Sequence, residues 1–354
     1  MINRLLHKTK ALLYPFCHRR VLGIDIGSDS IKLAEGVLEN GKMMLSQVHV
    51  EQRIDHANVA SLTVQMLANN LIHALQVGGM RAKQVIASLP YDKVLSREMF
   101  LPITDNQELE EAVYWEVEKL SPFNNNYYYD FVVIDNLEDG KRILLIVAER
   151  SAVDYLVNTF AAASLKLIAV ESLPIALGRI SGDADGYMII DIGWQSTRVT
   201  IYRGELPVNS NVITIGGEDF TAALQLSFNI SYDMAEQLKK YPKKAGNNGL
   251  ERVDKENLTE NFVKLEKQLS KEIMRIYEYY KIQSRNHIIK KVFLCGGGAL
   301  LADLAKNLER EVKMPVQLLN VALPLECIDS LDKTVVLHSL PQTAAAIGMV
   351  MRGN

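Results

Sequence analysis

The chain has 354 residues, 48% of them hydrophobic and 23% charged, with a formal net charge of −3. This length and balance exclude a disordered chain and a fold that depends on a metal or disulfide staple, and the lack of a basic excess speaks against nucleic acid as partner. The three cysteines, Cys17, Cys295 and Cys327, are widely spaced without a C-x-x-C or flanking histidines, which reads as reduced thiols rather than a zinc site.

Residues 1–20 are basic and partly apolar, but Lys8 and Lys10 interrupt any signal-peptide core, and the apolar run 11–17 is far shorter than the ~20 residues of a membrane span. The expectation is a basic tail on a cytoplasmic protein. The first regular element is the stretch VLGIDIGSDSIKLAEGV over 21–37. An apolar strand runs into Asp25-Ile26-Gly27, turns through Ser28-Asp29-Ser30 and leaves as a strand carrying Lys32. Asn40-Gly41 is a two-residue hairpin turn, so 42–50 pairs back as a third strand. Leu67, Leu71 and Leu75 mark a helix within 58–76 that Gly78-Gly79 stops, and 84–89 reads as a buried strand.

From residue 91 to about 166 the pattern changes to a small α/β unit. Asp105 caps a helix with Glu108 three places on, and Leu109, Val113, Val117 and Leu120 form its apolar stripe until Ser121-Pro122. Two strands, 127–134 and 142–148, flank a turn at Glu138-Asp139-Gly140, and a helix covers 151–163. Residues 170–180 read as the last helix of the first lobe, and 182–186 as the lobe boundary.

The opening outline then returns as MIIDIGWQSTRVTIY over 188–202, with Asp191, Gly193, Ser196 and Arg198 in the places of Asp25, Gly27, Ser30 and Lys32. Residues 212–215 follow, and helices are expected over 219–226 and 232–238. A polar loop covers 241–256, and a long amphipathic helix carries Phe262, Leu265, Leu269, Ile273, Ile276 and Tyr280. A strand at 291–294 enters Gly296-Gly297-Gly298, a helix runs over 299–312, and 341–351 forms a last small-residue helix.

In each D-x-G bend, glycine lets backbone approach a ligand, and successive amides with the Ser28 and Ser30 hydroxyls can donate to phosphate oxygens. Asp25 and Asp191 at the strand ends can hold a hydrated Mg²⁺, and Lys32 can meet a phosphate as a point charge. Either hairpin alone is read more simply as a capped turn; the pair points to a duplicated fold around one nucleotide. Gly296-Gly297-Gly298 offers bare backbone to an anion or a base. Glu236 and Lys239, i and i+3 on one helix, suit ribose hydroxyls or an ordinary solvated ion pair.

The order of these elements resembles the actin, sugar-kinase and heat-shock-chaperone ATPase superfamily. The segments LGIDIGSDSIKL, LEEAVYWEVEKLSPF with YDF, LLIVAERSAVDYLVNTF with VESLPIAL, CGGGALLADLAKNL and AAAIGMVMR resemble the PilM family of type IV pilus assembly, over 21–351. The resemblance implies an α/β, two-lobed actin-like fold of the duplicated ribonuclease-H type, with an inserted small subdomain as in PilM and FtsA. The expected divisions are a tail over 1–20, a first lobe over 21–185 with its insertion at about 91–166, and a second lobe over 186–354 with a helical insertion at about 227–288.

It further implies ATP with Mg²⁺ between the lobes, held by Asp25, Gly27, Ser28, Ser30 and Lys32 and by Asp191, Gly193, Gln195, Ser196 and Thr197. Adenosine would meet Glu236, Lys239, Gly297 and Gly298, and Glu171 takes the place of an acid that orders metal-bound water elsewhere in the superfamily. Trp194 and Gln195 stand where many relatives have a glycine run, which favours nucleotide binding over rapid hydrolysis. The implied partners are the cytoplasmic N-terminal peptide of PilN, in a groove between the first lobe's core and its insertion, the PilN/PilO platform, the pilus motor, and neighbouring copies of the chain. The protein would then sit in the cytoplasm, peripheral to the inner membrane through PilN. A sugar or acetate kinase and an FtsA-like filament protein are the alternatives. The filament reading ranks lower because the chain stops at Met351-Arg352-Gly353-Asn354 without an amphipathic membrane helix.

Overall fold

The computed structural model describes residues 20–39, 42–53, 62–120, 122–124, 126–181, 186–240, 260–284, 288–301, 303–320, 327–328 and 331–352. The expectations for the tail up to residue 19, the turn at Asn40-Gly41, the helix start at 58–61, Ser121, the boundary at 182–185 and the loop at 241–256 lie outside the described residues. The chain divides into two compact units, one of residues 1–179, 325–332 and 345–354, the other of residues 180–324 and 333–344. The first unit thus includes 325–332 and 345–354, which the sequence reading assigns to the second lobe.

In the first unit β1 (Arg20–Ile26), β2 (Ser30–Glu39) and β3 (Lys42–Gln52) form an antiparallel meander. Helix α1 (Val64–Val77) starts where the Thr63 hydroxyl accepts from the Met66 amide at 3.2 Å and ends at Gly78, followed by Gly79 with φ +65°. Its Leu67, Leu71 and Leu75 are buried in the core of this sheet, each contributing about 1.5–3 kcal/mol. The parallel strand β4 (Gln84–Ser88) follows, lying beside β1.

The insertion is a three-stranded sheet in the order β5 (Val94–Leu101), β7 (Gly140–Glu149), β6 (Tyr127–Leu137), with α2 (Asn106–Leu120) on one face. Asp105 caps α2, its Oδ1 accepting from the amides of Gln107 at 2.7 Å and Glu108 at 3.1 Å; those bonds hold its carboxyl below the usual carboxylate range. Leu109, Val113 and Val117 pack on Phe131, Ile143 and Leu145. Sequence reading missed β5. Helix α3 (Arg150–Ala162) returns the chain to the main sheet at β8 (Lys166–Glu171), which pairs with β4. The expected helix over 170–180 is corrected here: Val170 and Glu171 end the strand, and α4 spans Leu173–Ser181.

The second unit repeats the plan. Strands β9 (Gly186–Ile192), β10 (Thr197–Arg203) and β11 (Leu206–Ile213) form the meander, followed by α5 (Gly217–Phe228), α6 (Tyr232–Lys240) and the 24-residue α7 (Glu260–Gln283). Strand β12 (Ile289–Cys295) pairs in parallel with β9, and β13 (Val316–Leu318) with β12. The triple glycine opens into a 3-10 turn over Gly297–Leu300 rather than a helix, and α8 begins only at Leu304 and ends at Val312. The final helix, α9 (Lys333–Val350), begins well before Pro341 and carries that proline inside it.

The sheet orders are β3-β2-β1-β4-β8 and β11-β10-β9-β12-β13, so each strand of the first sheet has a counterpart in the second. This shared order establishes the duplication that the two D-x-G stretches suggested. Among the described residues no helix is long and apolar enough to cross a membrane.

Candidate functional site

Each meander brings an aspartate, a glycine and a cation to its bend. In the first, Asp25 lies across from Lys32, and the Gly27 amide closes the turn on the Ser30 carbonyl at 3.0 Å. In the second, Asp191 lies across from Arg198, and the Gly193 amide closes on the Ser196 carbonyl at 2.9 Å. The two bends therefore share their closing bond as well as their sequence.

The first bend is set by charge. Asp25 is buried, its Oδ1 accepting from the Ser88 hydroxyl at 3.0 Å and its Oδ2 lying 3.4 Å from the Lys32 ammonium. That ammonium lies over Gly27: a Cβ there would stand 2.3 Å from Lys32 Nζ, so a side chain at this position would displace the cation. Ser28 and Ser30 are half-buried beside it. Among the described residues Asp29 Oδ1 is buried with no hydrogen-bond partner, a carboxylate oxygen left in want of a donor or a cation. Sequence reading missed two supports here, Ser88 at the end of β4 and the buried Arg53 just past β3, whose guanidinium donates to the carbonyls of Gly27 and Ser28.

The second bend is set by a helix end. The amides of Gly217 and Glu218 donate to the carbonyls of Gly193 and Trp194, both at 2.9 Å. Thr197 is buried and gives its hydroxyl to the Ile215 carbonyl at 2.7 Å, whereas Gln195 is exposed and Ser196 half-buried. Trp194 lies edge-on to Tyr232 at 5.8 Å, with the Lys239 ammonium 5.0 Å from its ring centre. Lys239 is buried and donates to the Gly217 carbonyl at 3.1 Å, to Thr221 Oγ1 at 2.7 Å and to Glu236. The two residues read as ribose ligands thus form a buried ion pair that joins α5 to α6 and props Trp194. On the paired strands β9 and β10, Tyr202 stacks on Tyr187 at 4.9 Å, and burial pushes the Tyr202 phenol well above the ordinary range, so the ring stays neutral.

The three glycines after β12 have separate reasons. Gly296 has φ +82°, and a Cβ on it would stand 2.4 Å from the Ile192 carbonyl oxygen and 2.5 Å from Asp191 Oδ1. A Cβ on Gly298 would stand 2.2 Å from Ile192 Cγ2. At Gly297 the nearest atom to such a Cβ is Gln342 Nε2 at 4.0 Å, so this glycine leaves open backbone rather than serving a packing need.

Glu171 ends β8 with its side chain buried, and both its carboxylate oxygens accept from Arg179, Nη1 reaching Oε2 at 2.9 Å and Nη2 meeting Oε1. Arg179 Nη1 also donates to the Gly348 carbonyl at 2.9 Å. The candidate water-ordering acid is thus locked in a bidentate ion pair that ties β8 to α4, while Arg179 also ties α4 to α9.

Two sheets of identical strand order, each opening on a glycine-bent hairpin, define an actin-like ATPase fold. A solved PilM–PilN type IV pilus biogenesis complex is similar over 94% of this chain and 98% of that chain, with a TM-score of 0.75 and 24% identity. The ethanolamine utilization protein EutJ from Carboxydothermus hydrogenoformans follows at TM-score 0.54 and 15% identity, over 96% of this chain and 92% of that one. MreB5 of Spiroplasma citri, solved with ADP bound, has a TM-score of 0.50 and 13% identity, over 91% and 97%. No curated protein sequence matches the chain. The chain belongs to the family of type IV pilus assembly protein PilM, whose pattern it matches over residues 23–354. It is therefore an actin-like protein of type IV pilus assembly.

Proposed function

We propose that the chain is an ATP-binding scaffold that docks the cytoplasmic tail of PilN and so links the inner-membrane PilN/PilO platform to the pilus motor. The observation that carries this reading is the pair of hairpins closed by equivalent amide bonds, Gly27 to Ser30 and Gly193 to Ser196, alongside an acid, Glu171, whose two oxygens are taken by Arg179. Such a site grips phosphates without offering a base to attacking water. In this reading Asp25, Gly27, Ser28, Ser30 and Lys32 are the phosphate and metal contacts of the first hairpin, and Asp191, Gly193, Gln195 and Ser196 those of the second. Thr197, Glu236, Lys239 and Gly298 shape the loops around them, and Gly297 meets adenosine.

The carboxylates suit Mg²⁺ held through water. Asp25 already has both oxygens engaged, by Ser88 and by Lys32, and Asp29 Oδ1 is an acceptor left over for an aquo ligand. Mg²⁺ would neutralise triphosphate charge there.

For the PilN tail, the face of the inserted sheet turned away from α2 is the surface of choice. It carries Phe100, 44% exposed, with half-buried Val132 and Ile146, and Glu98 and Arg142 as an ion pair at 3.4 Å. Val94, Tyr128 and Ala148 of the same face pack on the main core of the unit and close one end of this surface. An extended peptide can lay alternate apolar side chains here and satisfy its polar groups at the charged pair. The protein would then reach the membrane through PilN, and copies of the chain could also meet one another as part of the platform.

Titration calorimetry with a synthetic PilN tail peptide, with and without Mg-ATP, tests the coupling. The expected result is a change in affinity of about 5–150-fold, the usual span of allosteric coupling. Equal affinity in both states would remove the nucleotide switch and leave a plain docking protein.

A further inference from the structure

The two phosphate hairpins hold the same pair of carbonyls by different means. In the second, the carbonyls of Gly193 and Trp194 accept from the first amides of α5, which are fixed parts of the backbone. In the first, no helix amide among the described residues donates to the equivalent carbonyls of Gly27 and Ser28. They accept from a single side-chain nitrogen, Arg53 Nη1, at 3.2 and 3.1 Å, while the Arg53 amide donates to the Asp29 carbonyl at 2.9 Å. Arg53 is 2% exposed.

We infer that Arg53 is the positioning residue of the first phosphate hairpin, a side-chain substitute for the helix N-terminus that holds the second. By drawing three successive carbonyls, those of Gly27, Ser28 and Asp29, to one side of the turn, it directs the intervening amides to the other, where a phosphate can take them. A guanidinium suits this task because its charge strengthens both bonds and its planar fork keeps them in fixed geometry. Its buried positive charge and that of Lys32 offset the carboxylates of Asp25 and Asp29 on the same loop. Arg53 stands at the exit of β3, where the chain leaves the sheet, so the ordering of the hairpin is coupled to how β3 ends. The α5 helix gives the second hairpin no such dependence on one side chain.

This inference rests on reading the hairpins as phosphate grips, and its test separates the two. Hydrogen exchange of the full chain reports each hairpin without nucleotide, and calorimetry reports Mg-ATP affinity. In Arg53→Met, exchange at the amides of residues 27–30 is expected to quicken about tenfold or more, as fits the loss of charged hydrogen bonds, while the hairpin at 193–196 keeps wild-type exchange. Mg-ATP affinity is expected to fall by about the same factor. Arg53→Lys, which keeps the charge but not the fork, should fall between wild type and Arg53→Met in both readouts, and serves as the folded comparison should Arg53→Met not fold.

Unchanged exchange at 27–30 would overturn the inference, as would equal quickening at both hairpins, which marks a general loss of stability. Wild-type chain that fails to bind Mg-ATP would sink the phosphate reading, while the exchange result still decides whether Arg53 orders the loop.

Discussion

Gly297→Val is expected to weaken Mg-ATP binding more than about a hundredfold, roughly 2.7 kcal/mol, and to leave the fold intact. Among the described residues the nearest atom to a Cβ at this position is Gln342 Nε2, at 4.0 Å, the outer limit of ordinary contact, and the residue does not need a left-handed backbone. The new side chain therefore fills space that, in the proposed reading, adenosine uses. Thermal unfolding should shift by less than about 2 °C, since well under 1 kcal/mol of strain is introduced. Gly298→Val is the contrasting variant: its Cβ would stand 2.2 Å from Ile192 Cγ2, and overpacking of that kind costs about 1–3 kcal/mol. Calorimetry and melting on both variants give a clean separation. A Gly297→Val chain that binds Mg-ATP as the wild type does would show that the nucleotide lies away from Gly297.

Glu171→Gln should cost about 3–5 kcal/mol of stability, as expected when one partner of a buried ion pair is removed and the other keeps its charge. The Glu171 and Arg179 side chains are 6% and 14% exposed, and Arg179 also holds the Gly348 carbonyl, so the loss would loosen the attachment of α4 to α9. Replacing both, Glu171→Leu with Arg179→Met, should recover most of the loss, because no charge is then stranded. Urea midpoints of the single and double variants measure this. Should Glu171→Gln keep wild-type stability while any ATP turnover disappears, Glu171 would be the water-ordering acid after all and the scaffold reading would give way to an ATPase.

The hairpins were legible because the chemistry of each lies in one short stretch: a strand, D-x-G, a hydroxyl turn and a cation on the return strand. What was not legible depends on distance or on burial. Arg53 reaches Gly27 from the far end of the meander, and no local pattern ties the two. Glu236 and Lys239 have the spacing of a surface pair, and only the packing of α5 on α6 makes the pair internal. The run KLIAVESLPIAL joins a half-buried strand to a buried helix with no turn signal between them, so a helix reading over 170–180 takes in the strand end at Val170 and Glu171. Strand β5 carries Arg97 and Glu98 in its middle, and β13 is three residues long, so neither shows the apolar run by which a strand is recognised. Pro341 suggested a helix start, which is where proline is most at home, yet α9 passes through it.

The first unit is closed by its own distant C-terminal segments. Gly23 leaves room for the Ala346 carbonyl, Gly36 for Val350, and the Ile328 amide bonds the Leu45 carbonyl along the outer edge of β3. During translation β1 to β3 therefore emerge long before the residues that cover them. At about 5–20 residues per second the ribosome needs on the order of ten to thirty seconds to pass from α4 to the end of α9. For that interval the nascent meander shows an open strand edge and an uncovered apolar face, a template for pairing with other chains. The half of the molecule that is made first is thus finished last, and the nascent chain is the form most in need of a chaperone.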